Sequence, residues 1–133
     1  MNRNTFGRSE RLKSEKSISL LFEKGYSLSV QPIRLIYLVK PVAEKIPIKI
    51  GFAIPKKNFK RAVDRNLIKR RMREAYRINK QILIKEDKEY LPYLEIMLIY
   101  QGSKVESFEK INHSIKELIN KLYLKIQKKE KLH

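Results

Sequence analysis

RAVDRNLIKRRMREAYR, residues 61–77, decides how the rest of the chain is read. Seven of its seventeen residues are arginine or lysine, with apolar residues between them at helical spacing. On a wheel of about 100° per residue, Arg65, Asn66, Lys69, Arg70, Arg73, Arg77 and Lys80 share an arc of roughly 140°. Val63, Leu67, Ile68, Met72, Ala75, Ile78 and Ile82 fill the opposite half. The pattern predicts one amphipathic helix from about Ala62 to about Leu83, with one side for a core and the other almost purely cationic. Asp64 and Arg71 fall in the apolar arc and are expected to pair at its edge.

Arg65, Lys69, Arg73 and Arg77 stand at i, i+4 throughout, and each like-charge pair costs roughly 0.2–0.5 kcal/mol. An ordinary solvated face alternates signs; here Glu74 is the one acid near the row. Successive cations are about 6 Å apart along the axis, a spacing suited to backbone phosphates. Upstream, Lys56, Lys57, Lys60 and Arg61 extend the patch, so residues 56–77 hold ten basic residues and two acids, a net of +8. Arginine suits RNA, because guanidinium binds phosphate bidentately and stacks on bases. A membrane-surface helix is disfavoured, since the apolar half is needed to cover the rest of the fold.

Working outward, IRLIYLVK (33–40) alternates as a strand, with Ile33, Leu35, Tyr37 and Val39 on one face. IPIKIGFAIP (46–55) reads as a second strand, and the short PVAEK between them suggests an antiparallel hairpin. YLEIMLIYQ (93–101) is nearly all apolar, hence central and covered on both faces. SEKSISLLFEKG (14–25) reads as a short helix capped by Ser14 or Ser17 and stopped by Gly25, with Ile18, Leu21 and Phe22 on one face. GYSLSVQP (25–32) can hold an extra edge strand. Residues 105–127 read as a long helix with a stripe of Phe108, Ile111, Ile115, Leu118, Ile119 and Leu122. KEDKEY (85–90) reads as a loop. These elements predict a small sheet with helices packed on it. Residues 1–133 make a single domain, with 1–10 and 126–133 as mobile basic ends.

The chain has 133 residues, is 42% hydrophobic and carries a formal charge of +17, which allows one packed core and favours a polyanionic partner. It has no cysteine, which excludes disulfides and thiolate chemistry. No secretory signal or membrane span is evident, and a cytoplasmic location is the expectation. No catalytic constellation stands out. His113 reads as a surface residue and His133 is terminal; Glu86, Asp87 and Glu89 are interspersed with Lys85 and Lys88. No glycine-rich phosphate loop is present. Phe22, Tyr37, Phe52 and Tyr100 are candidates for core, or for a groove where single-stranded bases stack.

The 61–77 segment resembles the signature helix of the bacterial ribonuclease P protein component, whose Arg-Asn, Lys-Arg and Arg-Glu pairs have counterparts in Arg65-Asn66, Lys69-Arg70 and Arg73-Glu74. ERLKSEKSISLLFEKG (10–25) is similar to that family's opening, and IGFAIPKK (50–57) to the strand before the signature. The resemblance spans about residues 6–125. It implies an α+β two-layer sandwich: a small mixed sheet of about four strands with three helices in the order α-β-β-β-α-β-α, a left-handed βαβ crossover, and a ribosomal protein S5 domain 2-like fold.

The resemblance also implies an RNA-binding subunit that assists a catalytic RNA in removing the 5′ leader of precursor tRNA. The chemistry and its Mg2+ sit on the RNA; the protein brings no catalytic residue and no cofactor of its own. Partners are the ribonuclease P RNA and the leader, with no membrane, and with a monomeric protein bound 1:1. RNA contacts fall to Lys56, Lys57, Lys60, Arg61, Arg65, Asn66, Lys69, Arg70, Arg73 and Arg77. A leader cleft falls to Arg11, Ile18, Phe22, Tyr37 and Phe52. Two positions depart from the family pattern: Lys60 stands where a glycine is common, and Ile18 where an aromatic often lines the cleft. Arg65→Ala and Arg73→Ala are both expected to weaken RNA binding and spare the fold. The competing readings are a stand-alone structural RNA binder associated with the ribosome, a duplex DNA binder and an independent nuclease.

Overall fold

The structure, a computed structural model, describes residues 10–40, 48–83 and 93–131, with side chains to 127. The acidic loop at 85–90, the 41–47 connection, most of the N-terminal end and His133 lie outside the described residues.

Helix α1 (Glu15–Lys24) starts where Ser14 accepts a hydrogen bond from Ser17 N at 3.2 Å. It stops at Gly25, whose φ of −70° is open to any residue. The need for glycine there is space: a Cβ would lie 2.4 Å from Ile36 Cγ2 and 2.4 Å from Leu21 O. Strand β1 (Tyr26–Val30) turns through Gln31 and a cis Pro32 into β2 (Ile33–Lys40), its antiparallel neighbour. Strand β3 (Ile48–Ala53) leads to α2 (Ala62–Asn79), which tightens into a 3-10 turn over Lys80–Ile82. Strand β4 (Tyr93–Tyr100) follows, and α3 (Phe108–Lys131) ends the fold. The helix continues past 126, where fraying was expected, because Ile126 is buried in the core.

The sheet order is β1-β2-β4-β3. The expected β2–β3 hairpin is therefore absent: β4 lies between them, antiparallel to β2 and parallel to β3. Alternation identifies a strand but not its partner, and β4 is the most apolar strand, so the central position buries most. The unit β3-α2-β4 is a parallel βαβ crossover, and β1 is the extra strand anticipated at the edge.

One face of the sheet carries the larger core. Ile33, Leu35, Tyr37, Ile50, Ile96, Leu98 and Tyr100 meet Ile68, Met72, Ala75 and Tyr76 of α2 and the Ile111, Ile115, Leu118, Ile119 and Leu122 stripe of α3. Asn79 Nδ2 joins the helices by donating to Asn112 Oδ1 at 2.8 Å. The other face has a smaller cluster, Leu12, Leu21, Ile36 and Met97, under α1. Ile18, Leu38, Ala53 and Ile99 border it, half-buried.

Candidate nucleic-acid interface

Helix α2 buries Ile68, Met72, Ala75, Tyr76 and Asn79. That stripe is turned by roughly a quarter of the wheel from the one the hydrophobic pattern predicts. Val63 and Ile78, expected in the core, are 61% and 45% exposed. The Tyr76 ring outweighs them, packing edge-on to Phe52 with centroids 6.3 Å apart. Burial pushes its phenol pKa well above the usual value.

The rotation divides the cationic face in two. Arg65, Lys69 and Arg73 lie half-buried on the seam between α2 and its surroundings, while Asn66 and Arg70 face solvent. Lys80 is drawn inside at 3% exposure. Arg77 is held by its own neighbour: Nε and Nη2 donate to Glu74 at 2.9 and 2.6 Å. The guanidinium lowers the Glu74 carboxyl pKa by that hydrogen bond, and Glu74 raises that of Arg77.

Arg65 differs from expectation. Its Nη1 donates to the carbonyls of Phe59 and Lys60 at 2.5 and 2.9 Å, fastening the turn before the helix. Phe59 is 5% exposed and packs against Tyr100 at 5.7 Å. The turn over residues 55–59 closes through Asn58 N to Pro55 O and Phe59 N to Lys56 O, both 3.3 Å. Among the described residues no non-glycine has positive φ, so Lys60 replaces the family's glycine without strain. Arg71 is structural too. It donates to Glu106 O at 2.6 Å, and this contact replaces the expected pairing with Asp64.

The seam opens into a pocket of about 240 Å³ at the edge of β3. Arg11, Lys13, Lys69 and Arg73 line it together with Leu12, Ile50, Gly51 and Phe52. Four cations and an aromatic ring thus meet with no acid among the lining residues. The Arg73 guanidinium lies 5.9 Å from the Phe52 centroid. Arg73 Nε is buried and finds no hydrogen-bond partner among the described residues. Arg11 arrives from the N-terminal segment, which pairs with Ile50 on the β3 edge. Lys13 was missed by the sequence reading, although it stands in the same Arg-Leu-Lys stretch.

The expected cleft residues fall at three places. Arg11 and Phe52 belong to the β3-edge pocket. Ile18 and Phe22 stand on α1 over the opposite face of the sheet, Ile18 half-buried and Phe22 49% exposed. Tyr37 is 4% exposed and points to the α2–α3 side, where its ring meets that of Tyr26 at a 36° tilt with centroids 5.6 Å apart. The period-two alternation of β2 separates it from Ile36 and Leu38, which do face α1. Lys56, Lys57, Lys60 and Arg61 are exposed on the turn leading into α2. Among the described residues no group of three His, Asp or Glu could hold a metal ion, and no helix is long and apolar enough to cross a membrane.

The family model for ribonuclease P matches residues 6–123. The chain belongs to the ribonuclease P protein family. The ribonuclease P protein component of Chlorobium phaeobacteroides is 35% identical over 131 residues, covering 91% of this chain and 90% of the relative. That of Porphyromonas gingivalis is 31% identical over 115 residues, covering 85% and 84%. Among solved structures, the RNase P protein of Staphylococcus aureus superposes with a TM-score of 0.66 at 23% identity, over 85% of this chain and 94% of that one. The Thermotoga maritima protein gives 0.67 at 20% identity, over 84% and 96%. These two likenesses bear on the fold alone: three helices and a mixed four-stranded sheet. Family membership carries the function, that of the RNA-binding protein subunit of a tRNA-processing endonuclease, and implies partnership with its RNA and tRNA substrate.

Proposed function

We propose that this chain joins two polyanions, the catalytic RNA and its precursor-tRNA substrate, by two adjoining surfaces. The outward side of α2 and the turn before it (Lys56, Lys57, Lys60, Arg61, Asn66 and Arg70) dock on the catalytic RNA. The β3-edge pocket and the α1 side of the sheet take the single-stranded 5′ leader. Arg11, Lys13, Lys69 and Arg73 meet its phosphates, Phe22 offers a stacking face, and Ile18, Leu38, Ala53 and Ile99 supply an aliphatic floor. Stacking on an aromatic is worth about 1–3 kcal/mol per base and tolerates any sequence.

The observation that carries the reading is the acid-free pocket in which two motif cations, Lys69 and Arg73, meet Arg11 from the other end of the domain. The Mg2+ that serves the reaction sits on the RNA, and the protein lowers the need for it by supplying positive charge. The protein acts in the cytoplasm as a monomer, one per RNA. Tyr37 is core in this account, and Arg77 contributes through its pair with Glu74.

Competition distinguishes this role from general RNA binding. The protein bound to the catalytic RNA should prefer leader-bearing over leaderless precursor tRNA, and both over duplex DNA. Equal affinity for precursors with and without the leader would refute the leader assignment and leave a stand-alone RNA binder.

A further inference from the structure

Lys80 ends α2 with a buried ammonium, and its partner comes from the far end of the chain. Lys80 Nζ donates to both carboxylate oxygens of Glu10, at 3.1 and 3.3 Å. The Lys80 side chain is 4% exposed and that of Glu10 22%. Arg11, the next residue, bridges to Ile50 on edge strand β3, and Leu12 N donates to Ile50 O at 2.9 Å. Leu12 itself is buried with Leu21, Ile36 and Met97. The short strap carrying Arg11 is therefore gripped on both sides.

The grip answers an electrostatic problem. Arg11 and Lys13 must approach Lys69 and Arg73, and Lys80 lies about two helix turns beyond Arg73, in the 3-10 turn that follows α2. Like charges gathered at one edge repel, and a counter-charge beside the strap offsets that repulsion. Glu10 is an acid placed directly beside Arg11 and paired to the helix that carries the other cations.

We propose that the Glu10–Lys80 pair is a positioning latch that holds Arg11 against the β3 edge, so that Arg11, Lys69 and Arg73 together meet one RNA phosphate. The proposal rests on the RNA-binding reading of the pocket. Neither latch residue touches the phosphate: Glu10 has the wrong sign and Lys80 is buried. Both act through Arg11.

The sign of one substitution separates this role from general electrostatics. Glu10→Gln raises the formal charge from +17 by one. If charge alone governed binding, the variant would bind RNA more tightly. The latch requires the opposite.

The test compares wild type, Glu10→Gln, Arg11→Ala and the double variant. Each is titrated with leader-bearing precursor tRNA in the presence of the catalytic RNA at several salt concentrations. Amide exchange at Leu12 reports strap docking. Glu10→Gln should bind about 10- to 100-fold more weakly, the loss of one hydrogen bond to a charged group. Its log–log salt slope should be shallower by about 0.7, one phosphate on a single strand. Arg11→Ala should add no further loss in the Glu10→Gln background, and Leu12 should lose protection. Unchanged Leu12 protection in Glu10→Gln would overturn the latch. So would lost protection with unchanged or tighter binding. If wild type failed to bind RNA, the pocket reading would fall with the phosphate part of this proposal, while Leu12 exchange would still show whether the pair docks the strap.

Discussion

Arg73→Ala removes the side chain that joins α2 to the β3-edge pocket, and its effects on stability and on binding should separate. On the stability side, the guanidinium over Phe52 contributes about 0.5–1 kcal/mol. Its removal relieves about 0.2–0.5 kcal/mol of repulsion from Lys69 at i−4. It also removes the buried, unpartnered Nε, a group whose desolvation costs about 1–3 kcal/mol. These effects oppose one another and sum to between about 0.2 and 3 kcal/mol in the variant's favour, so the melting temperature should hold or rise. On the binding side, a hydrogen bond to a charged group is worth about 1.5–3 kcal/mol, so affinity for leader-bearing precursor tRNA should fall about 10- to 100-fold. Fluorescence anisotropy and thermal melting on the same preparations give both numbers. Affinity within about twofold of wild type would refute the reasoning, because the pocket cation would then not reach RNA. A melting drop of 10 °C or so would refute it differently, by making Arg73 a structural residue.

Arg65→Ala should behave in the opposite way to the sequence-based expectation for it. Loss of its bonds to the Phe59 and Lys60 carbonyls should cost roughly 1–3 kcal/mol of stability, read as a lower melting temperature; an unchanged melt would remove its role in holding the turn. Gly25→Ala forces a Cβ to within 2.4 Å of Ile36 Cγ2 and Leu21 O, and should cost roughly 1–3 kcal/mol in urea unfolding. A neutral result would mean that the α1–β2 junction yields freely. Burial raises the phenol pKa values of Tyr37, Tyr76 and Tyr100 above the usual 10.0. The unfolded chain then ionises first, so their contribution to stability is full below about pH 10 and declines as pH rises through the folded values. Urea midpoints measured from about pH 9 to 11 should fall, and Tyr76→Phe should flatten that fall; a midpoint independent of pH would contradict it.

The elements themselves were legible because each carries its own periodicity. The α3 stripe from Ile111 to Leu122 is buried, and β4 is covered on both faces as its near-continuous apolar run implies. Partnering was less legible. A short connection between β2 and β3 suggested a hairpin, yet a two-residue turn pairs β1 with β2, and β4 takes the place between β2 and β3. The rotation of α2 was also hidden, since a hydrophobic wheel weighs Val63 and Ile78 above Tyr76, whereas packing rewards the large ring. That same rotation turned part of the outward ladder into a seam. Arg65 spends hydrogen bonds on backbone carbonyls, and Lys80 is neutralised by Glu10. The Lys80 pairing leaves no local trace, because Glu10 and Lys80 are 70 residues apart. The resemblance assigns Tyr37 to the cleft, whereas the alternation of its own strand turns it to the other face.

The account holds that protein cations substitute for metal ions in bringing two RNAs together. The direct measurement is precursor-tRNA cleavage by the catalytic RNA across a magnesium titration, with and without this protein. The protein should sustain cleavage at magnesium concentrations where the RNA alone fails, shifting the requirement downward. Superimposable magnesium curves with and without the protein would contradict the account, and the basic seam would then be a surface that binds RNA without assisting the reaction.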